Sequence, residues 1–269
     1  MNSPEVTILM PAFNSERFID DALVSLQKQD GIDAEIVVVV DSRSTDGTKE
    51  IVAKCAGGDE RVRLVEFDRP GLLPALNAGL DQARGRHITF LDSDDICPQG
   101  RISRQICKLA AEPSVGAVVG EVLVFEALGS DLQPVPGTRW ARVLSPCLGA
   151  GTFRRQAIDA VGRFDESFTH SGDIDFLLRL HDSDSSIKPE HELGLLCRKH
   201  AANMSANPAD TQLHLLKALQ LSIARRRRSG RPNAILPFAL MKPLSEIEGS
   251  ENGFPGHRTA DLFANTGRS

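Results

Sequence analysis

Much that would classify this 269-residue chain at a glance is missing from it. No apolar stretch approaches the roughly 20 residues needed to cross a bilayer. No Gly-x-Gly-x-x-Gly follows the first apolar segment, and no Gly-x-x-x-x-Gly-Lys-Ser/Thr occurs anywhere, which excludes the dinucleotide fingerprint and the P-loop. The five cysteines, Cys55, Cys97, Cys107, Cys147 and Cys197, are odd in number, widely spaced and free of any Cys-x-x-Cys pair. That argues against the usual zinc spacings and fits reduced thiols in a cytosolic protein. A net charge of −5 lacks the basic excess that a general nucleic-acid binder needs. The first residues reach Glu5 and then a short strand, with neither a basic nor a long apolar leader segment, so the expectation is a cytoplasmic protein that meets a membrane, if at all, from its inner surface. There is no internal repeat.

What is present reads as α/β. A hydrophobic content of 41% over this length can bury one large domain. Val6 to Met10 and Glu35 to Val40 are β-branched runs of the kind covered on both faces, and between them Phe18, Ile19, Ala22, Leu23 and Leu26 recur at helical spacing. Ile51, Val52 and Cys55 mark a second helix that Thr45 or Asp46 can cap, and Val62 to Phe67 a third strand. Ala75, Ala78, Gly79 and Ala83 give a small-residue helix before the strand His87 to Leu91. This alternation predicts a doubly wound, mostly parallel sheet flanked by helices, with a first half over 1–112. A divergent half follows over 113–205, containing a strand at Val115 to Phe125 and a Gly- and Pro-rich loop from Gly129 to Pro146 that carries Trp140 over the cleft. The amphipathic helix of segment 206–230 is expected to bury Leu213, Leu216, Leu219 and Ile223, widened by Leu215 and Leu221. Segment 231–269 reads as an extended polar tail.

The run Ile88-Thr89-Phe90-Leu91-Asp92-Ser93-Asp94-Asp95 delivers three carboxylates from a strand into a turn. In extended backbone Asp92 and Asp94 point the same way, so their oxygens can converge on Mg²⁺ or Mn²⁺, which could hold the pyrophosphate of a sugar nucleotide. Pro11, Asp41 and Asp92 all fall at carboxyl ends of strands, where doubly wound sheets bind ligands.

Four ordered motifs from Val6 to about Ser205 make the chain resemble the family 2 glycosyltransferases of GT-A fold. They are Val6-Thr7-Ile8-Leu9-Met10-Pro11-Ala12-Phe13-Asn14; Glu35 to Thr48 with Asp41-Ser42-Arg43-Ser44-Thr45-Asp46-Gly47; Gly71, Ala75-Leu76-Asn77-Ala78-Gly79 and Ala83-Arg84-Gly85 joined to Asp92-Ser93-Asp94-Asp95; and Val161-Gly162-Arg163-Phe164-Asp165-Glu166 followed by Gly172-Asp173-Ile174-Asp175 and Arg198-Lys199-His200. The resemblance implies an inverting transfer of sugar from a nucleoside diphosphate donor, expected to be UDP-linked, to a hydroxyl acceptor.

Site roles follow from the resemblance. Pro11, Ala12, Phe13 and Asn14 would lie under base and ribose, with Phe13 standing where the family often has Tyr, so a hydroxyl contact is lost and the stacking surface kept. Asp41 would accept the uracil imide proton, against the alternative of a strand-end turn aspartate. Ser44, Asn77, Asp92 and Ser93 complete the nucleotide set; Asp94, Asp92 and His200 are the metal candidates. Asp173 is the candidate base, with Asp175 as its substitute and a helix cap as the plainer role. The family usually reads Glu-Asp where this chain has Gly172-Asp173. Arg225 to Arg228 read either as solvated cations at a helix C-terminus or as a patch for a phosphorylated acceptor or anionic lipid. Two other readings remain: a non-catalytic nucleotide-sugar-binding protein, and a sugar-phosphate nucleotidyltransferase, although the latter's Gly-rich basic loop is not found at Pro11-Ala12-Phe13-Asn14.

Overall fold

A computed structural model describes residues 3–145, 147–200, 208–231 and 248–249. The first half alternates as expected: β1 (Val6–Ala12), α1 (Ile19–Gln27), β2 (Ala34–Asp41), α2 (Thr48–Gly58), β3 (Val62–Phe67), α3 (Leu72–Gln82), β4 (His87–Phe90) and α4 (Arg101–Ala111). Strands β3, β2, β1 and β4 are parallel neighbours in that order, so the chain winds outward one way and then back past β1. The N-cap of α2 is Gly47, and of the two sequence candidates Asp46, one residue before it, bonds the helix start, its Oδ1 accepting from the Thr48 amide at 3.1 Å and from the Thr48 hydroxyl. Every residue of β2 is buried, which is why it is a near-continuous run of Val and Ile. Small residues let the layers close: a Cβ on Gly79 would stand 3.2 Å from Leu9 and Val39 side chains, and one on Gly85 only 2.3 Å from the Thr7 amide nitrogen.

The second half completes the same sheet. β5 (Val115–Phe125) pairs antiparallel with β6 (Trp140–Val143) and with β7 (Gly151–Arg154), and β7 also joins β4. Helices α5 (Arg155–Val161) and α6 (Gly172–Asp182) lead to β8 (Ser186–Arg198), which runs parallel to β5, and α7 (Pro208–Arg228) follows. A two-residue strand, β9 (Glu248–Gly249), pairs with β6. Trp140 is therefore not on a loop over the cleft. It opens β6 opposite Phe125, because the β5 backbone beyond Val122 has an edge to pair and residues 140–143 take it. Most of the segment read as a polar tail lies outside the described residues.

The expected face of α7 is corrected in part, since Leu219 packs half-buried against the core and the flanking Leu215 is buried, but the other leucines of the stripe are not. Leu215, Ala218, Ser222 and Arg226 are buried, whereas Leu213 (65% exposed), Leu216 (52%), Ile223 (39%) and Leu221 (38%) face out. Polar bonds set this rotation. The Asp182 carboxylate, on the last turn of α6 and 4% exposed, accepts from Ser222 Oγ at 3.0 Å, Arg225 Nε at 2.9 Å and Arg226 Nε at 2.7 Å. A buried carboxylate left without partners would cost more than exposing leucines, so the polar stripe takes the inside. Arg225 and Arg226 are thus fasteners rather than solvated cations, and only Arg227 and Arg228 are exposed.

Candidate active site

The candidate site lies at the carboxyl ends of β1, β2 and β4. Leu91 donates its amide to the Leu9 carbonyl at 3.0 Å, extending the β4 line by one residue, and the chain then turns with the Asp95 amide on the Asp92 carbonyl. The turn brings one ligand oxygen each of Asp92, Asp94 and Asp95 within 4.8 Å of one another. The three have different tasks. Asp95 is buried and accepts the Arg198 amide at 2.8 Å, tying the end of β8 to the turn. Burial, and then Asp92 and Asp94, hold its carboxyl well above the usual carboxylate range. Asp94 Oδ2 stands 2.9 Å from His200 Nε2, and the His200 ring stacks on Phe18 at 4.7 Å. Asp92 is exposed at the site; desolvation by the protein around it, then the charges of Asp94 and Asp173, push its carboxyl up to about 7. A set of carboxylate oxygens this close, with the carboxyls of Asp92 and Asp95 both driven toward neutrality, fits a hard divalent cation.

Arg198 is a residue the motif reading left without a task. Its Nε donates to the Asp94 carbonyl at 3.1 Å, its Nη2 to Asp21 at 2.9 Å, and its guanidinium lies between Phe18 and Phe125 at 4.9 and 5.3 Å. With the antiparallel bridge between Ile96 and Leu196 it locks β8 to the acidic turn and so delivers His200. Cys147 and Cys197 also border the carboxylates. Burial, followed by Asp95, Asp92 and Asp173, pushes the Cys147 thiol up to about 12, and burial with Asp95 holds Cys197 well above its ordinary value. Both are inert thiols here, and nothing in their spacing announces the location. The turn carrying Cys147 is held from beneath by Arg101, which is fully buried and donates to the Gly149 carbonyl at 2.7 Å and to Thr89 Oγ1 at 3.0 Å.

At the β1 and β2 ends the two loops are stapled together. Asn14, at φ 47°, accepts the Thr45 amide on Oδ1 at 2.9 Å, and its own amide donates to Ser44 Oγ at 3.2 Å. Ser15 Oγ lies 2.7 Å from Ser93 Oγ, joining this pair of loops to the acidic turn. Pro11 and Ala12 are the last residues of β1, paired with Val39 and Val40, and the Ala12 side chain is in the core. Phe13 is 54% exposed, with the Arg43 guanidinium 5.9 Å from its ring centre. Arg43 in turn binds both oxygens of Asp41, through Nε to Oδ1 at 2.8 Å and through Nη2 to Oδ2, holding the carboxyl below its ordinary range.

Asn77 does not join this group. Its amide is spent on the loop after α5, donating to the Phe164 carbonyl and Glu166 and accepting the Phe164 amide at 2.9 Å.

Asp173 sits in the first turn of α6, where its own amide and that of Ile174 bond its carboxylate. Burial outweighs those donors and raises its carboxyl above the ordinary range. Its charge raises the Asp92 carboxyl and the Cys147 thiol, so it lies in the neighbourhood of the acidic turn. Asp175 is turned away: it is 1% exposed and accepts from Arg179 Nε at 2.8 Å and Arg225 Nη1 at 3.3 Å. Two guanidiniums leave it no part as a substitute base. The glycine before Asp173 has a packing reason as well, since a Cβ there would stand 2.3 Å from Leu73 Cδ1.

Residues 7–142 match the family described as Glycosyl transferase family 2. The chain belongs to that family. Among curated relatives it is 35% identical over 123 residues to the GalNAc(5)-diNAcBac-PP-undecaprenol beta-1,3-glucosyltransferase of Campylobacter jejuni, a match covering 45% of this chain and 39% of that protein. The matches to the first curated relatives span less than half of those proteins' lengths. S. aureus TarS 1–349 in complex with UDP-GlcNAc superposes with a TM-score of 0.63 at 20% identity, over 82% of this chain and 66% of that one. The mannosyltransferase PcManGT from Pyrobaculum calidifontis, in complex with GDP-Man and Mn²⁺, gives 0.62 at 20% identity, over 88% and 68%. The fold is GT-A, and Asp92-Ser93-Asp94 fits the family's Asp-x-Asp motif. Among the described residues no helix is long and apolar enough to cross a membrane.

Proposed function

We propose that the chain is a metal-dependent inverting glycosyltransferase that moves a sugar from a UDP-linked donor to a hydroxyl acceptor on the cytoplasmic side. The observation that supports this reading is the cluster of Asp92, Asp94 and Asp95 in the turn after β4, with Asp173 of α6 near enough for its charge to raise the carboxyl of Asp92. Asp92, Asp94 and His200 would hold Mn²⁺ or Mg²⁺, which when bound offsets the charge of the departing diphosphate. Phe13 offers a stacking surface for the base and Asp41 an acceptor for its imide proton. Asp173, whose carboxyl burial holds above the ordinary range, takes the acceptor hydroxyl proton as that oxygen attacks the anomeric carbon opposite the nucleotide. The UDP-GlcNAc complex of one structural neighbour supports the uridine donor, and the Mn²⁺ in the other supports the cation. The Campylobacter relative, whose name carries a diphospho-undecaprenol, supports a lipid-linked acceptor.

Titration calorimetry with UDP tests the reading. Binding is expected with Mn²⁺ or Mg²⁺ and strongly weakened by excess EDTA, and a panel of nucleotide sugars should show metal-dependent nucleotide release with one donor. Equal affinity with and without EDTA would remove the metal bridge. Failure of every donor to turn over across a broad acceptor panel would leave a nucleotide-sugar-binding protein instead.

A further inference from the structure

Helix α7 presents an apolar band to solvent at positions 213, 216 and 223, and these recur on one face together with Gln220 and Arg227. Leu221 widens the band, and Arg227 and Arg228 close it. No acidic residue occurs between Gln212 and Arg228. Among the described residues no carboxylate is paired with Arg227 or Arg228, while their neighbours Arg225 and Arg226 are consumed by Asp175 and Asp182. The same two acids that anchor α7 therefore hold its leucines outward.

We propose that this face of α7 docks on an anionic membrane surface. Four apolar side chains fall well short of the ~800 Å² per partner that a stable protein dimer buries. They suffice for shallow insertion at a headgroup boundary, where a helix lies in plane with its cations at the phosphates. Position gives the contact a use. His214 Nε2 stands 3.0 Å from Thr169 Oγ1 and Lys217 lies 4.2 Å from the Phe168 ring centre, so the band runs beside the segment that enters α6 at Asp173. Docking here brings a lipid-borne acceptor hydroxyl to the base side of the cleft. The surface itself is independent of the donor chemistry and can be tested apart from it.

The experiment is co-sedimentation of the full chain with vesicles of phosphatidylcholine alone and of phosphatidylcholine mixed with phosphatidylglycerol. Wild type should bind the mixed vesicles, far less the neutral ones, and bind more weakly as salt rises. Two variants, Leu213→Gln/Leu216→Gln/Ile223→Gln and Arg227→Gln/Arg228→Gln, should each lose about tenfold or more of that binding while keeping the wild-type melting curve and UDP affinity. No binding of wild type to mixed vesicles, or binding that survives both variants, overturns the proposal. So does a wild-type dimer in sedimentation velocity that the leucine variant converts to monomer, because the face would then belong to a second copy. UDP titration on the same preparations separates loss of this surface from failure of the glycosyltransferase reading.

Discussion

Arg43 holds both carboxylate oxygens of Asp41 while its guanidinium lies 5.9 Å from the Phe13 ring centre, so the group expected to read the base is already engaged. A base that donates to Asp41 must compete with this clasp. Asp41→Asn should weaken UDP by about tenfold, the scale of one hydrogen bond to a charged group, and Arg43→Ala should tighten it several-fold. Both are read by calorimetry in Mn²⁺. Weaker UDP binding by Arg43→Ala would give the guanidinium, rather than the carboxylate, the contact with the base.

Asp173→Asn keeps the shape and the bonds from the two amides but cannot take a proton. UDP affinity should survive while transfer falls by about 10²-fold or more. If Asp173 only caps α6, asparagine caps as well and both properties stay near wild type.

The carboxyl of Asp92, pushed up to about 7, sets a pH dependence. Cation binding requires it ionised, so Mn²⁺ affinity should fall as pH drops below about 7 and level off above. For the metal-free protein the sign is that of a raised group: the stability tied to its proton is present below the ordinary carboxylate range and lost as pH rises through about 7. Wild type should therefore lose stability relative to Asp92→Asn between these limits, and Mn²⁺ should cancel the loss. Parallel melting curves for the two proteins from acid to neutral pH would contradict it.

The Arg225 to Arg228 run should divide in two. Arg226→Ala leaves the buried Asp182 short of a partner and should destabilise by about 3 kcal/mol in denaturant unfolding. Arg227→Ala and Arg228→Ala should leave the unfolding curve where it is.

Gly172→Glu restores the family's acidic residue but drives its Cβ into Leu73. The single variant should lose stability by about 1–3 kcal/mol, the scale of overpacking, and Leu73→Ala should offset part of that cost when combined with it. Additive losses in the double variant would mean that Leu73 is not what excludes a side chain at 172.

The repeating strand and helix pattern of the first half was legible because it is local. A run of Val and Ile such as Glu35 to Val40 needs cover on both faces, and that requirement alone implies helices above and below a parallel sheet. Asp92 and Asp94 were legible as acids delivered by a strand, although it is the turn after β4, and not the strand period, that brings their oxygens together. Other parts depend on contacts between residues far apart in the chain. Asp95 and Arg198 are separated by more than a hundred residues, and only the joining of β8 to the acidic turn shows that Arg198 is a bolt and that His200 reaches Asp94. The periodicity of α7 favours burying its stripe, but the charge of Asp182 outweighs it and turns Leu213, Leu216 and Ile223 to solvent. Apolar periodicity measures how much a helix could bury, whereas a buried carboxylate decides which side must face it, and that carboxylate lies on another element.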